Sequence, residues 1–153
     1  MNFKNKIVLI TSASSGIGKQ TALEFAKKGA NLILVARRKD KLELVAKELE
    51  KFHTTILVCQ CDVSNKDQVK EMSKTVLEKF DTVDILVNNA GFAIFGSVSD
   101  LSIDEIESQM ETNYFGMIYC IKNFLPTMLN KKSGHIVNVA SVAASFGLPG
   151  IAS

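Results

Sequence analysis

The sequence contains a short turn whose residue types could bind phosphate groups. Residues 11–18 read Thr-Ser-Ala-Ser-Ser-Gly-Ile-Gly and lie between an apolar run, expected to be a strand, and a segment expected to be a helix. A turn in this position directs free backbone N–H groups and the positive end of a helix dipole at a ligand. Gly16 and Gly18 let a ligand and a neighbouring strand approach the backbone. The sequence therefore predicts a diphosphate site; the alternative is a tight loop between strand and helix.

Basic residues follow the second predicted strand, where the chain reads Ala36-Arg37-Arg38-Lys39. At this point of a dinucleotide-binding sheet, an acidic residue binds the ribose 2′-hydroxyl of NAD, whereas a basic residue suits the 2′-phosphate of NADP. Arg37 is the predicted phosphate partner because a guanidinium can form a bidentate pair, and Arg38 is expected to assist. The sequence thus favours NADP (NADPH) over NAD. The alternative is that these residues are ordinary surface charges.

Polar residues also follow the later strands. Asp62 could accept a hydrogen bond from an adenine amino group, or it could be a simple loop acid. Asn88 and Asn89 end a buried strand, so they need partners: either they stabilise the turn or they line the ligand. Asn113 interrupts an apolar helix stripe and is expected to be a buried amide with a partner. Ser141 follows the fifth strand, at the edge where such sheets keep their active sites.

The elements that must position these residues alternate between strand and helix. Strands are predicted over 6–11, 31–36, 55–60, 84–88 and 135–140. One helix is predicted over 17–28, and three more are predicted to begin at Asp40, at Ser64–Asp67 and at Ser102 with Glu105. The last of these helices has the stripe Ile106, Met110, Asn113, Met117 and Ile121. Continuous apolar runs of this length suit parallel strands covered on both faces. The alternation predicts an α/β fold with a doubly wound, Rossmann-like parallel sheet in strand order 3-2-1-4-5.

Composition excludes several classes of protein. The 153 residues are 46% hydrophobic and 22% charged, with a net charge of +2, which excludes a disordered or low-complexity chain. The apolar runs are too short for a membrane span or a signal peptide, so a cytoplasmic protein is expected. The excess of basic residues in the first half suits a phosphate-bearing ligand or solvated helix faces. Cys59, Cys61 and Cys120 form no disulfide framework and are expected in the core, and no metal site is predicted.

Together, the motifs resemble the short-chain dehydrogenase/reductase family, in its larger single-domain branch, from residue 5 onward. The family's Thr-Gly-x-x-x-Gly-x-Gly turn corresponds to residues 11–18, with Ser12 where the family usually has glycine. Asp62 corresponds to the acid that meets adenine, and residues 88–91 correspond to the Asn-Asn-Ala-Gly segment. The implied catalytic residues are Ser141 and Asn113. The implied cofactor-binding residues are Thr11, Ser12, Ser14, Ser15, Gly16, Ile17, Gly18, Arg37, Arg38, Asp62, Val63, Asn89, Ala90 and Gly91.

The resemblance implies hydride transfer between NADP(H) and a small-molecule carbonyl or secondary alcohol. Ser141 would bond the substrate oxygen, and Asn113 would hold a water in the proton relay. The full-length form is expected to be a homo-oligomer without nucleic-acid or membrane partners. Phe92, Phe95 and Phe146 either shape an apolar substrate pocket or pack the loops.

The family's Tyr-x-x-x-Lys motif would begin immediately after Ser153. Tyr114 and Tyr119 cannot replace its tyrosine, because Ile118 and Asn123 stand where the lysine would be. Residues 1–153 are therefore expected to be an incomplete dinucleotide-binding domain, inactive alone, that ends just before this motif. The alternatives are a non-catalytic dinucleotide-binding module and a non-functional truncated product.

Overall fold

A single parallel sheet with helices on both faces organises the molecule. The computed structural model describes residues 3–142. The strands are β1 Ile7–Thr11, β2 Asn31–Ala36, β3 Ile56–Gln60, β4 Ile85–Asn88 and β5 His135–Asn138, and the helices are α1 Gly16–Lys27, α2 Lys39–Leu49, α3 Lys66–Phe80, α4 Ile103–Met110 and α5 Gly116–Lys131. The strand order is β3-β2-β1-β4-β5, which confirms the predicted fold and topology. A 3-10 turn, Glu50–Phe52, follows α2, and a π-helical turn, Glu111–Phe115, joins α4 to α5.

Alternation along each strand divides the core into two layers. Val8 and Ile10 of β1 point into the layer that α1 and α2 cover, which also contains Leu42 of α2. Leu9 points into the opposite layer, where it meets residues of α3 and α5 such as Val69 and Phe124. Successive side chains of a strand point to opposite faces, so a strand covered on both sides must be apolar throughout. This requirement is why the strands are continuous apolar runs.

The α4–α5 segment departs from the predicted helix stripe. Ser102 caps α4 at the predicted start of the helix, and it forms a reciprocal pair of hydrogen bonds with Glu105. The buried face, however, consists of Gln109, Gly116, Cys120, Phe124 and Met128, one position before most of the predicted stripe. Met110 is 43% exposed, and Asn113 is also exposed rather than buried.

Two physical features explain the shifted stripe. The π-helical turn changes the helical phase. The first turns of α5 are apolar around much of their circumference, so periodicity alone does not select a face. Gly116 decides the packing, because a Cβ atom there would lie 2.8 Å from Cγ2 of Val63.

The start of α3 is also one residue from its predicted position. Asn65 is the N-cap, and its side chain accepts hydrogen bonds from the backbone of Asp67 and Gln68. The hydroxyl of Ser64 instead donates to Asp62 at 2.8 Å. Within residues 3–142, no helix combines the length and apolar character needed to cross a membrane.

A buried carboxylate fastens the amino-terminal edge of the sheet. Oδ2 of Asp84 accepts a hydrogen bond from the Ile7 N–H at 2.9 Å, and Oδ1 accepts one from Nζ of Lys131 at 3.0 Å. The backbone of Asp84 bonds to both neighbouring strands, through the carbonyl of Ile7 and the N–H of His135. Asp84 thereby joins β1, β4, β5 and the end of α5.

Charge and hydrogen bonding keep the Asp84 carboxylate ionised. Burial alone would raise the pKa of Asp84, but the N–H of Ile7 and the ammonium groups of Lys131 and Lys6 together lower it below its ordinary value. A carboxyl group with a lowered folded-state pKa contributes stability above its unfolded-state pKa. That contribution is lost as the pH falls through the folded-state pKa.

We expect Asp84→Asn to lower the free energy of unfolding by about 1–3 kcal/mol at pH 7, because the charge-assisted bond to Lys131 is lost. The difference from the parent chain should begin to shrink below about pH 4, where Asp84 of the unfolded chain becomes protonated, and should keep shrinking as the pH falls through the lower folded-state pKa of Asp84. Urea unfolding of both chains at a series of pH values between pH 7 and below pH 4 measures the difference in the free energy of unfolding. Asp81→Asn removes an exposed acid three positions earlier and should leave stability unchanged. A pH-independent difference for Asp84→Asn would contradict the electrostatic account.

Candidate functional site

A crevice of about 360 Å³ lies at the carboxyl ends of β1 to β4. Nine of its lining residues were predicted from the sequence as cofactor ligands: Ser12, Ser14, Ser15, Arg37, Arg38, Asp62, Val63, Ala90 and Gly91. Of the remaining lining residues, Phe92 was expected either to shape a substrate pocket or to pack a loop, and Ala36, Cys61 and Thr112 were not predicted to line the site. Parallel strands bring these separate loops to one edge of the sheet, which is where open α/β sheets bind ligands.

The turn after β1 has the backbone shape of an anion-binding loop. Ser12 and Gly16 both have left-handed backbones, with φ of 53° and 54°. Serine at the first of these positions costs about 1 kcal/mol relative to glycine, so the departure from the family's usual residue carries strain. Ser15 precedes α1 in an extended conformation and makes no side-chain cap bond. The first N–H groups of α1 therefore stay available for a ligand.

Gly18 lies behind the turn rather than in the crevice. A Cβ atom at this position would collide with the backbone oxygen of Ser12 and would lie 2.8 Å from Nδ2 of Asn89. Gly16 differs, since a Cβ atom there would meet nothing within 4 Å. Glycine is thus required at position 16 by the left-handed backbone and at position 18 by the close packing. Ile17 is 66% exposed and lies with Phe3 and Phe25 on an outer groove, not in the crevice.

Thr11 connects this turn to the loop after β4. Its buried Oγ1 atom accepts hydrogen bonds from the backbone N–H groups of Asn89 and Ala90, both at 2.9 Å. Nδ2 of Asn89 donates in return to the Thr11 carbonyl at 3.1 Å. Nδ2 of Asn88 donates a hydrogen bond to Oδ1 of Asn138 on the neighbouring strand β5 at 2.9 Å. Thr11, Asn88 and Asn89 therefore hold strand ends together, and Ala90 and Gly91 form the crevice wall.

The two outer walls of the crevice differ in charge. Arg37 and Arg38 are exposed at the end of β2 and make one side positive. Asp62 lies at the end of β3, where Oδ1 accepts hydrogen bonds from the backbone and hydroxyl of Ser64 at 3.1 and 2.8 Å. Gln68 fixes the backbone of Asp62 by accepting its N–H at 2.9 Å. Among residues 3–142, Oδ2 of Asp62 has no hydrogen-bond partner, so it can accept one from a ligand.

Asn113 lies in the π-helical turn, and its side-chain amide bonds to the backbone of Phe92. Its Oδ1 accepts the Phe92 N–H at 2.9 Å, and its Nδ2 donates to the Phe92 carbonyl at 2.8 Å. Both atoms of the amide therefore have a partner, as expected, although the residue is exposed rather than buried. A Cβ atom on Gly91 would lie 3.2 Å from this Oδ1, which explains a glycine in the adjacent wall.

Ser141 is exposed and follows the end of β5, three residues beyond Asn138. A small cavity connects this strand end to the π-helical turn, and it is lined by Asn88, Asn113 and Val139 among others. Asn113 thus lines the same cavity as Val139, which precedes Ser141 by two residues. Phe146 and the segment 146–153, expected to lead toward a tyrosine helix, lie outside the described residues.

Gln109 contributes to the site but was not predicted. It is 1% exposed, and its Oε1 accepts the Ile94 N–H at 2.8 Å. Gln109 and Asn113 lie four positions apart, so both amides face the loop after β4 and hold its backbone. This loop carries Phe92, which lines the crevice, and Phe95, which is 76% exposed. A second amide, four positions before Asn113 on the same predicted helix, was the available signal.

The cysteines give no sign of a reactive or metal-binding site. Burial raises the pKa of Cys61 and Cys120 to about 12 and that of Cys59 to about 11, so all three remain neutral thiols near neutral pH. Cys61, the one that lines the crevice, is 1% exposed. In the described part of the chain, no three His, Cys, Asp or Glu residues group in a way that could hold a metal ion.

Comparison with known proteins identifies clear relatives. A sequence profile of the family described as short chain dehydrogenase matches residues 6–153. An uncharacterized oxidoreductase of Staphylococcus aureus strain N315 is 37% identical over 139 residues, covering 91% of this chain and 59% of the relative. The chain thus spans about three fifths of the length of such a relative.

Two solved structures share the fold across nearly the whole chain. An NAD+-bound xylitol dehydrogenase superimposes with a TM-score of 0.94 at 29% identity, covering 99% of this chain and 58% of that one. A metagenomic short-chain oxidoreductase in complex with NADP gives a TM-score of 0.95 at 29% identity, covering 99% and 69%. The comparison structures therefore include one with each nicotinamide cofactor.

We expect Thr11→Val to lower the free energy of unfolding by about 1–3 kcal/mol, because the N–H groups of Asn89 and Ala90 lose their acceptor. Thr11→Ser keeps the hydroxyl and removes only a methyl group, so it should cost about 1 kcal/mol or less. Chemical denaturation of the three chains measures the comparison. Equal stability of the valine and serine variants would show that the hydroxyl does not join the strands.

Proposed function

We propose that this chain, which belongs to the short chain dehydrogenase family, forms the cofactor-binding part of an NADP-preferring oxidoreductase. The reaction would be hydride transfer between the nicotinamide ring and a small-molecule carbonyl or secondary alcohol. The observation that carries this proposal is the crevice, where a phosphate-binding turn, two arginines and an acidic residue follow successive strands. Xylitol dehydrogenase binds NAD+ and the metagenomic relative binds NADP, so the preference for NADP rests on Arg37 and Arg38 of this chain.

The residues of the crevice fit a dinucleotide. Ser14, Ser15 and the free N–H groups at the start of α1 would hold the diphosphate, since they combine hydrogen-bond donors with the helix dipole. Arg37 would bind the 2′-phosphate bidentately. Oδ2 of Asp62 would accept from the adenine amino group. The absence of any side chain at Gly18 keeps the turn close to Asn89, which leaves the space in front for the ligand.

The catalytic assignments are part of the same proposal. NADP(H) would supply the hydride chemistry, and the protein would position it and stabilise developing charge. Ser141 would donate a hydrogen bond to the substrate oxygen, where negative charge develops. Asn113 would hold a relay water, with help from backbone groups of the π-helical turn, because one N–H and one lone pair of its amide are already bonded to Phe92.

We propose that the whole protein forms a homo-oligomer, is located in the cytoplasm, and acts on small-molecule substrates without nucleic-acid or membrane partners. A non-catalytic dinucleotide-binding module is the second candidate function. It would use the same crevice and the same cofactor-binding residues, and a turnover measurement distinguishes it from an oxidoreductase.

For cofactor preference, we expect NADPH to bind more tightly than NADH by about 1–3 kcal/mol, because the 2′-phosphate gains charge-assisted bonds. Arg37→Ala should remove most of that difference. Fluorescence titration of both cofactors measures it. Lys39→Ala is the matched control, since it removes a nearby positive charge that pairs with Glu43 and does not line the crevice. Equal affinities in the parent chain would contradict NADP preference.

For turnover, we expect residues 1–153 alone not to oxidise NADPH with small ketones and aldehydes. A positioned proton donor is worth about 10²–10⁴ in rate, and these residues include no tyrosine with a lysine four positions on. His135 cannot replace it, because it pairs with Ile85 at the opposite end of the sheet.

The control for turnover is a longer form of the chain that carries a Tyr-x-x-x-Lys sequence. Activity in the longer form that Ser141→Ala abolishes would support the oxidoreductase. Activity in residues 1–153 that depends on Ser141 would contradict the assignment of the proton donor. Cofactor binding without turnover in both forms would favour the non-catalytic module.

A further inference from the structure

The backbone carbonyls at the end of β2 are held by three different groups in succession. The carbonyl of Ala36 accepts the Cys61 N–H at 3.0 Å, and that of Arg38 accepts the Leu42 N–H at 3.2 Å. The carbonyl of Arg37, between them, accepts from Nε2 of the Gln60 side chain at 3.0 Å. Gln60 is the last residue of β3 and pairs with Ala36. A side chain therefore continues the β2–β3 pairing one peptide beyond the last backbone bond.

This bond sets the direction of the next peptide group. The peptide between Arg37 and Arg38 is trans, so its carbonyl and its N–H point in opposite directions. Gln60 holds the carbonyl toward its own side chain, so the N–H of Arg38 points away from Gln60. β2 lies between β3 and β1, and the turn after β1 bonds to β2 through the Ala13 N–H and the Val35 carbonyl at 3.1 Å. Ser14 and Ser15 of this turn line the crevice with Arg37 and Arg38.

We propose that Gln60 is a positioning residue for the 2′-phosphate, acting by holding the Arg37 carbonyl out of the crevice and the Arg38 N–H into it. This inference rests on the proposed preference for NADP. If the peptide group between Arg37 and Arg38 were flipped, its carbonyl oxygen would face the phosphate in place of the Arg38 N–H. The Arg37 side chain would then also extend from the backbone in a different direction. An amide can make this bond without adding charge beside the phosphate, whereas a carboxylate at the same position can neither donate nor avoid repelling the ligand.

A second glutamine provides a matched comparison. Gln68 lies on α3, and its Oε1 accepts the backbone N–H of Asp62 at 2.9 Å. Both glutamines are exposed, and each fixes the backbone of one predicted ligand-binding residue. Gln68 acts at the acidic wall, which would meet adenine, and Gln60 acts at the basic wall, which would meet the 2′-phosphate. Loss of Gln68 should therefore weaken binding of the adenine, and loss of Gln60 should weaken binding of the 2′-phosphate.

The experiment compares two ligands that differ only in the 2′-phosphate, 5′-AMP and adenosine 2′,5′-bisphosphate, titrated into the full chain by calorimetry. We expect Gln60→Met to weaken the bisphosphate about 3- to 10-fold, the value of one hydrogen bond, and to leave 5′-AMP unchanged. Gln60→Glu, nearly the same size, should weaken the bisphosphate further. Gln68→Met should weaken both ligands equally. Gln60→Asn, which keeps an amide on a shorter chain, should behave as Gln60→Met.

The possible outcomes separate this inference from the proposed function. Equal affinity of the parent chain for the two ligands, or no binding of either, overturns the NADP preference and this inference with it. A parent chain that prefers the bisphosphate, with the same preference in Gln60→Met, overturns the role of Gln60 alone. Equal losses for both ligands in Gln60→Met would make its role merely structural. Thermal unfolding of each variant shows whether it is folded, and Gln60→Asn replaces Gln60→Met if the latter is not.

Discussion

The hydroxyl of Thr11 joins the ends of β1 and β4, where the chain connections leave the sheet in different directions. From β1 the chain proceeds to β2 on one side, while β4 lies on the other, so the loops that follow β1 and β4 leave toward different parts of the molecule. Such a division opens a crevice between the loops, and it also removes the regular backbone bonds that would keep the strand ends together. Thr11 supplies an acceptor for two N–H groups of the opposite loop, and Asn89 supplies a donor in return. The crevice can therefore be open on the side where a ligand would bind, while hydrogen bonds join the strand ends on its other side.

The opposite end of the sheet is fastened by a charge rather than by neutral groups. Asp84 can carry a buried negative charge because a backbone N–H and the ammonium of Lys131 both contact its oxygens. At the crevice end, the contacts behind the site are hydroxyl and amide contacts. This separation suits the proposed function, because a fixed carboxylate behind the turn would repel a diphosphate held in front of it. The carboxylate at the crevice, Asp62, lies on the far wall from the turn after β1.

Features set by local sequence could be predicted, and features set by distant side-chain contacts could not. The strands and their order followed from apolar run length and from the handedness of crossovers, and the tight turn between β1 and α1 followed from its serine and glycine residues. The stripe on α4 and α5 was wrong because Gly116, not hydrophobic periodicity, decides how closely that helix approaches Val63. Gln60 and Gln109 escaped notice because each bonds a backbone group far along the chain, and no spacing in the sequence records such a pair. Asn113 was noticed as an interruption, yet its partner, Phe92, could be found only from the folded chain.

Side-chain amides that hold backbone recur around the whole crevice. Asn89 holds the carbonyl of Thr11, Gln60 that of Arg37, Gln109 the N–H of Ile94, and Asn113 both groups of Phe92. Asparagine and glutamine match a peptide group because they carry both a donor and an acceptor and add no net charge. A site whose predicted donors are largely backbone N–H groups needs control of peptide orientation more than it needs further charged side chains. For the proposed nucleotide, then, selectivity would depend on Arg37 and Arg38 and also on residues that do not touch the ligand, since those residues decide which way the peptide groups that do touch it are turned.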